Sequence, residues 1–146
     1  MQIEVRIDDT CVEPKIILVV DRITAETQAL IKRLSEVTPQ VLCGFHEDEV
    51  RILEPDSLTR IYTAKGKVFA TTNQGEYLLK LRLYEVEERL DKGSFIRISN
   101  SEIINLKKVK SFDLSFTGTI CVALSDGTVT YASRRYVTKI KQALGI

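Results

Sequence analysis

The chain of 146 residues has few of the residues on which enzymes and metal sites most often depend. It holds one histidine, His46, and three cysteines without CxxC spacing, and it contains no glycine-rich phosphate loop and no HExxH motif. A histidine triad would have to be built around that one residue, and three scattered cysteines favour neither a disulfide framework nor a zinc site. We therefore predict a protein that is not an enzyme and binds neither metal nor cofactor. Its cysteines are expected to be small core residues, Cys121 within an apolar strand pattern in particular.

Long apolar runs are also missing. The longest, such as Ile16 to Val20, are far too short to cross a bilayer. Acidic residues at Glu4, Asp8 and Asp9 occupy the region where a secretory signal would need basic and then apolar residues. We expect a cytoplasmic protein with no direct membrane insertion.

The formal net charge of +1 conceals a separation of charge along the chain. Residues 1–46 hold five Lys and Arg against seven Asp and Glu, a net of −2, whereas residues 92–146 hold nine against three, a net of +6. The basic end is where an anionic partner would dock, but a solvated lysine-rich surface would give the same count. Charge therefore indicates nucleic-acid binding only in combination with a motif.

Residues 1–45 are predicted to form a small ββα segment. Its alternating and continuous apolar stretches, at 3–7 and 16–20, are typical of a strand pair. Thr24 is a good N-cap for a following helix, which Pro39 ends. The apolar stripe of this helix consists of Leu30, Leu34 and Val37. Two strands and one helix make a thin core, so we expect a role in dimerisation or sensing.

Residues 46–146 are predicted to be rich in β-strands. Turn signals recur at short intervals, and the runs between them are rich in Val, Ile, Tyr and Thr. The signals are Pro55-Asp56-Ser57, Lys65-Gly66-Lys67, Asn73-Gln74-Gly75, Thr117-Gly118 and Asp126-Gly127. This pattern predicts an α+β fold dominated by an antiparallel sheet of hairpins. Two helices should interrupt the strands, one at about residues 81–91 and one at the C-terminus.

The last hairpin has the clearest alternation. Ile120, Val122 and Leu124 share one face of its first strand, and Asp126-Gly127 turns the chain. Val129 and Tyr131 are expected to continue that face on the return strand.

Two adjacent arginines stand where the C-terminal helix should begin. Ser133 is the predicted N-cap, so Arg134 and Arg135 fall in the first turn, where the helix dipole disfavours cations. Backbone N–H groups and guanidinium groups together suit an anion, and an arginine fork can also bond to guanine in the major groove. The alternative is a surface salt bridge to a nearby carboxylate such as Asp126.

A second polar cluster follows the strand that contains Phe95 and Ile98. Its members are Arg97, Ser99, Asn100 and Ser101. Asparagine can bond an adenine edge and short hydroxyls suit phosphate oxygens, although Asn100 would serve equally well in a turn or cap. The nearby Glu102 and Asn105 are predicted to be structural.

A third basic site is the hairpin tip at Lys65, Gly66 and Lys67. Long basic side chains at such a tip can project into a groove, but most turns of this composition are only solvated. The lysines at 107, 108 and 110 could reach a nucleic-acid backbone and carry the weakest signal.

The stretch from Phe95 to Leu106 (FIRISNSEIINL), the later Tyr131 to Tyr136 (YASRRY) and the strand pattern between them resemble the LytTR family of bacterial DNA-binding domains. The resemblance extends from about Glu47 to Leu144 and is an element-by-element match rather than one short motif. It implies an elongated antiparallel fold in which loops, rather than a recognition helix, enter successive major grooves on one side of the duplex. The base-reading positions then map onto the Lys65 to Lys67 turn and Arg135, with Asn100 beside them. Family members often carry His where this chain has Ser99, which leaves the bases read undetermined.

The resemblance also implies partners. The family usually forms the output half of a response regulator, but the residues before Glu47 are too few for a receiver domain with its phosphorylated aspartate. Stand-alone relatives of this size look like regulators controlled by a membrane protein, and dimers on direct repeats are the usual binding mode. We therefore expect double-stranded DNA, a second copy of the chain and a regulatory membrane protein as partners.

Two other classes of function compete with DNA binding. A protein-interaction module could pair with a partner through exposed strand edges, but it would not need arginines at a helix start. RNA binding of the RRM type is disfavoured because no strand rich in aromatic residues for base stacking is present. The acidic residues of the helix predicted at about residues 81–91 lie at spacings that favour ion pairs with Arg82 and Arg89 rather than a catalytic site. They are Glu85, Glu87 and Glu88.

Overall fold

The computed structural model describes residues 1–12, 14–36 and 41–146. Contacts divide the chain into two compact units, Met1–Pro39 and Gln40–Ile146. Strand β1 (Leu42–His46) belongs to the second unit because it pairs with two other strands there. The division therefore falls before residue 42 and not between 45 and 46 as the sequence predicted.

The first unit contains the predicted helix but not the predicted strand pair. Helix α1 spans Ala25–Glu36, and Thr24 caps it reciprocally with Thr27, whose backbone N–H donates to the Thr24 hydroxyl over 3.2 Å. Within the described residues before the helix, neither 3–7 nor 16–20 forms a strand. An isolated two-stranded ribbon is marginal in water, so alternation alone did not suffice. The predicted stripe residue Val37 and the helix-ending Pro39 lie outside the described residues.

The second unit is built from hairpins, as the turn signals predicted. Its elements in chain order are β1 (Leu42–His46), β2 (Glu49–Leu53), β3 (Leu58–Ala64), β4 (Lys67–Thr72), β5 (Gly75–Leu79), α2 (Leu83–Arg89), β6 (Phe95–Ser99), β7 (Glu102–Asn105), β8 (Val109–Asp113), β9 (Cys121–Leu124), β10 (Val129–Tyr131) and α3 (Arg134–Leu144). Seven strands form one antiparallel sheet in the order β2-β1-β5-β4-β3-β7-β6, and β10-β9-β8 form a second sheet. The β-rich α+β fold and both interrupting helices are confirmed.

The Lys65-Gly66 pair makes the tight turn that its composition predicted. Ala64 pairs with Lys67, so only two residues connect β3 to β4. Lys65 has a φ of 52° and Gly66 a φ of 75°. Positive φ at both central positions characterises the turn whose twist matches that of the flanking strands.

Two apolar cores lie on either side of the β6–β7 hairpin. Phe95 and Ile103 pack into a core with strands β1, β3, β4, β5 and helix α2, whereas Ile96 and Ile104 pack into a core with the second sheet and α3. Successive residues of a strand point to opposite faces, so a hairpin buried on both faces is apolar at nearly every position. This explains why polar residues in FIRISNSEIINL collect at its turn.

The register of the last hairpin differs from the prediction. Thr130, not Val129 or Tyr131, pairs with the buried Val122, while Tyr131 pairs with Cys121. Directly opposed residues share a face, so Val129 and Tyr131 lie on the outer face and are 55% and 54% exposed. There the neighbouring Cys121 thiol raises the pKa of the Tyr131 phenol above its ordinary value.

The cysteines are less buried than the sequence predicted. Cys11 is exposed, and Cys43 and Cys121 are half-buried. Cys121 lies on the outer face because the buried face of β9 belongs to Val122 and Leu124.

Candidate nucleic-acid interface

Hydrogen bonding aligns the Lys65-Gly66 turn with the turn between β6 and β7. Strand β3 runs antiparallel to β7 with Tyr62 opposite Glu102, and the Thr63 N–H donates to the Ser101 carbonyl over 2.9 Å. Lys65 lies two residues beyond Thr63, about 7 Å further along the strand. The two turns therefore lie next to each other, at the same end of strands β3 and β7.

The turn Ser99–Ser101 is held by the Arg97 side chain. Its Nε donates to the Ser99 carbonyl over 3.0 Å and its Nη2 to the Asn100 carbonyl over 2.6 Å. Its Nη1 donates to Glu87 on α2 over 2.9 Å, and the Arg97 side chain is only 18% exposed. The Ser99 hydroxyl accepts the Ser101 N–H over 3.1 Å. All these hydrogen bonds of Arg97 are to the protein itself, and the residues of the turn that are exposed to solvent are Asn100 and Ser101.

The start of helix α3 lies against the same turn. The Ser133 N–H donates to the Ile98 carbonyl over 2.9 Å, and the Tyr136 hydroxyl donates to Asn100 Oδ1 over 3.1 Å. Ser133 occupies the predicted N-cap position, but its side chain makes no capping hydrogen bond. The first N–H groups of a helix have no partner within it, so this end can accept an anion.

The two arginines of this helix start differ in their surroundings. A Cβ on Gly118 would come within 2.9 Å of Arg134 Nε, so the Arg134 guanidinium lies directly over the 115–119 loop. Arg135 is exposed. Neither arginine forms an ion pair with any residue in the described part of the chain, including Asp126. The salt-bridge alternative is therefore not realised. Arg134 is exposed like Arg135, so both side chains can reach a ligand.

A basic groove beside the Lys65-Gly66 turn was missed by the sequence reasoning. It has a volume of about 400 Å³ and is lined by three basic residues and one acidic residue, Lys67, Lys80, Arg82 and Glu85, together with apolar residues that include members of β4 and β5. Val68 pairs with Leu79, which brings the residues flanking that pair, Lys67 and Lys80, to one end of the sheet. Strand pairing alone unites them, so no local motif could have revealed the groove.

The acidic residues near the interface have structural partners. Glu102 is buried, bonds Arg60 Nη1 over 2.8 Å and accepts the Thr130 hydroxyl over 2.7 Å, as its predicted structural role required. Glu87 pairs with Arg97 of β6, whereas a helix arginine was predicted. Glu85 instead accepts the Arg82 backbone N–H over 3.1 Å, which caps α2. The carboxylates thus fix the scaffold behind the basic tips.

Comparison with known proteins identifies this fold. The model of the LytTR family, described as the LytTr DNA-binding domain, matches residues 48–145. The chain belongs to the LytTR family. The family resemblance drawn from FIRISNSEIINL and YASRRY is thereby confirmed, and the chain carries a DNA-binding domain, not a catalytic one.

A solved structure has a similar fold, and curated proteins are similar in sequence. A LytTr DNA-binding domain from Bacillus cereus, described as part of a methyl-accepting/DNA response regulator, superposes with a TM-score of 0.70 at 22% identity and covers 73% of this chain and 97% of its own. An uncharacterised HTH-type transcriptional regulator of Staphylococcus aureus strain NCTC 8325 is 35% identical over 120 residues, covering 82% of this chain and 81% of the relative. Its counterpart in strain MRSA252 is 34% identical over the same length.

The helices of this LytTR chain are short and isolated. Strands separate α1, α2 and α3, so no helix-turn-helix pair occurs in the ranges 1–12, 14–36 and 41–146. None of these described helices is long and apolar enough to span a membrane.

Proposed function

We propose that this LytTR protein is a transcriptional regulator that binds double-stranded DNA sequence-specifically. It does so through three neighbouring tips, which are the Lys65–Lys67 turn, the Ser99–Ser101 turn and the start of helix α3. The observation that carries the proposal is the alignment of those tips. One backbone hydrogen bond, from Thr63 to Ser101, ties the β3 end to the β6–β7 turn, and the bond from Tyr136 to Asn100 ties that turn to helix α3. Side chains of tips that lie next to each other can contact one ligand at the same time.

Base reading belongs to the exposed members of the interface. The Lys65-Gly66-Lys67 tip and Arg135 enter successive major grooves, where a guanidinium fork suits guanine, and Asn100 contacts the duplex between them. Ser99, Ser101 and the free N–H groups after Ser133 suit phosphate oxygens.

The remaining basic residues position or strengthen the complex. Arg97 holds the Ser99–Ser101 turn and does not need to touch DNA itself. Arg134, over the 115–119 loop, and the groove residues Lys80 and Arg82 bind the phosphate backbone, which fixes register without reading sequence.

We propose that the protein acts in the cytoplasm as a dimer on direct repeats, with a membrane protein as its regulatory partner. The curated relatives named transcriptional regulators support the regulatory role of the chain. A membrane-protein gene beside the gene of this chain would support the proposed partner.

Substitution of Arg135 tests the site. Footprinting of the DNA upstream of the chain's own operon first defines the binding site, and fluorescence anisotropy then measures affinity. Arg135→Ala should weaken binding by about 1–3 kcal/mol and relax the preference at one base pair. Lys141→Ala is the matched control, because Lys141 is an exposed cation of the same helix, about 9 Å further along its axis. Equal losses in both variants would show that Arg135 contributes only charge.

Salt dependence tests the electrostatic part of the proposal. The logarithm of the binding constant should fall linearly with the logarithm of salt concentration, by about 0.9 for each phosphate contact. Lys80→Ala should reduce this slope by about 1 and weaken all DNA sequences alike. A slope near zero for the unmodified protein would rule out the duplex as its ligand.

A further inference from the structure

The first unit exposes apolar side chains that its own fold does not bury. No side chain is buried among its described residues 1–12 and 14–34. In the stretch that was predicted as its first strand, Ile3, Val5 and Ile7 are 85%, 83% and 96% exposed. Burying such residues is favourable, so another polypeptide that covers this stretch would be stabilised on it.

The stretch from Gln2 to Asp8 has the length and alternation of one strand. Glu4 and Arg6 share the face opposite to the apolar residues, with Arg6 Nη2 3.5 Å from Glu4 Oε1. Asp8 ends the stretch because its carboxylate accepts the Thr10 N–H over 2.9 Å and its carbonyl accepts the Cys11 N–H over 3.1 Å. The stretch forms no ladder with any described residue of its own chain. A strand of a partner can therefore add to it.

We propose that the partner is a second copy of this chain and that the two copies pair antiparallel about Val5. In this register Val5 lies opposite the partner's Val5, Ile3 lies opposite the partner's Ile7, and Glu4 lies opposite the partner's Arg6. One face of the ribbon is then wholly apolar, and the other carries two cross-strand ion pairs. A two-fold interface repeats every contact, so a stretch that complements itself is what a homodimer requires.

The charges and the apolar face also disfavour the neighbouring arrangements. Shifting the antiparallel register by two residues in one direction places Glu4 against the partner's Glu4, and shifting it in the other places Arg6 against the partner's Arg6. Parallel pairing in register brings both like-charge pairs together. A shift by one residue turns the apolar residues to opposite faces. Of these arrangements, pairing about Val5 satisfies both the charges and the apolar face.

This dimer specifies the proposed DNA-binding dimer further and rests on that proposal only for its biological role. Its two-fold symmetry applies to the paired first units alone, because the half-sites of a direct repeat are related by translation and not by a two-fold axis. The pairing involves the first unit alone, whereas the DNA-binding tips belong to the separate second unit. Loss of self-pairing therefore should leave binding to a single half-site unchanged, and loss of the DNA site should leave the dimer intact. The two proposals fail separately.

Charge reversal in the full chain tests the register. Glu4→Arg gives two arginines and Arg6→Glu gives two glutamates, so each variant alone faces like charges across both pairs. Sedimentation equilibrium should show the dimer dissociation constant raised by roughly tenfold in each variant. An equimolar mixture should restore it to about the unmodified value, because each chain then meets opposite charges. Arg22→Glu is the control: it changes an exposed charge of the same unit outside the strand and should leave dissociation unchanged.

The outcomes separate this proposal from others. Restoration by mixing shows that the variants are folded and that Glu4 faces the partner's Arg6. A monomeric unmodified chain, a dimer insensitive to both reversals, or a mixture no tighter than its components would each overturn the proposal. The last two results would direct the search to another surface or to a protein partner of different sequence.

Discussion

Substitution of Arg97 tests whether this residue contacts DNA or only holds the surface that does. Its guanidinium donates to Glu87 and to the Ser99 and Asn100 carbonyls over 2.9, 3.0 and 2.6 Å. Arg97→Met keeps much of the aliphatic stem and removes all three bonds. Hydrogen bonds to charged groups contribute about 1.5–3 kcal/mol each, but the two carbonyls lie at a turn that water can reach. We therefore expect unfolding free energy to fall by about 2 kcal/mol.

The same substitution should weaken DNA binding without removing a DNA contact. A turn that is no longer held by Arg97 must be ordered when the complex forms, at about 1–2 kcal/mol for each residue fixed. The free energy of ordering one residue corresponds to roughly a tenfold loss of DNA affinity. Since no phosphate contact disappears, the slope of affinity against salt should stay the same.

The assay is a salt series of anisotropy titrations, accompanied by urea denaturation of each variant. Lys139→Met is the matched control because Lys139 is an exposed cation that lines the same shallow cavity as Arg97. It removes one positive charge and should change folding stability by less than about 0.5 kcal/mol. A salt slope reduced by about 1 in Arg97→Met, with unchanged folding stability, would refute the positioning role and make Arg97 a direct phosphate ligand.

Two further predictions concern the scaffold. Gly66→Ala should destabilise the fold by about 1–2 kcal/mol in thermal or urea unfolding, because Gly66 has a φ of 75°. Gly93→Ala is the control and should have little effect, because Gly93 has no positive φ. Equal effects of the two substitutions would mean that the turn geometry is not the cause. Glu102→Gln should lower the unfolding free energy by about 1.5–3 kcal/mol, because the Arg60 guanidinium loses its counter-charge in a half-buried site. Glu88→Gln is the control, because Glu88 is exposed. Indistinguishable stabilities of these two glutamine variants would contradict the importance assigned to the pair.

Local signals in the sequence predicted the parts of the fold that depend on neighbouring residues. The Lys65-Gly66 turn, the Thr24 cap and the helix that begins at Arg134 each follow from a few adjacent side chains, and the structure contains all three. Local signals did not predict how strands pair, because alternation of apolar residues does not show which face of a strand the rest of the protein will bury. That is why Tyr131 was assigned to the wrong face.

The candidate site divides along the same line. Lys65, Asn100 and Arg135 were identifiable because their residue types, at turns and at a helix start, suit phosphates and bases. Arg97 was identifiable by type but not by role, since its partner Glu87 lies on another element. Lys80 lies in the site only through the pairing of β4 with β5.

The contacts of Glu102 have a consequence for the length of the DNA that the protein recognises. Its carboxylate joins Arg60 on β3, the strand that leads to Lys65, to Thr130 on β10, the strand that leads to Arg135. These two contacts of one buried carboxylate oppose a change in the distance between the two outer tips. We therefore expect a base pair inserted between the two proposed groove contacts to abolish recognition even when every contacted base is retained.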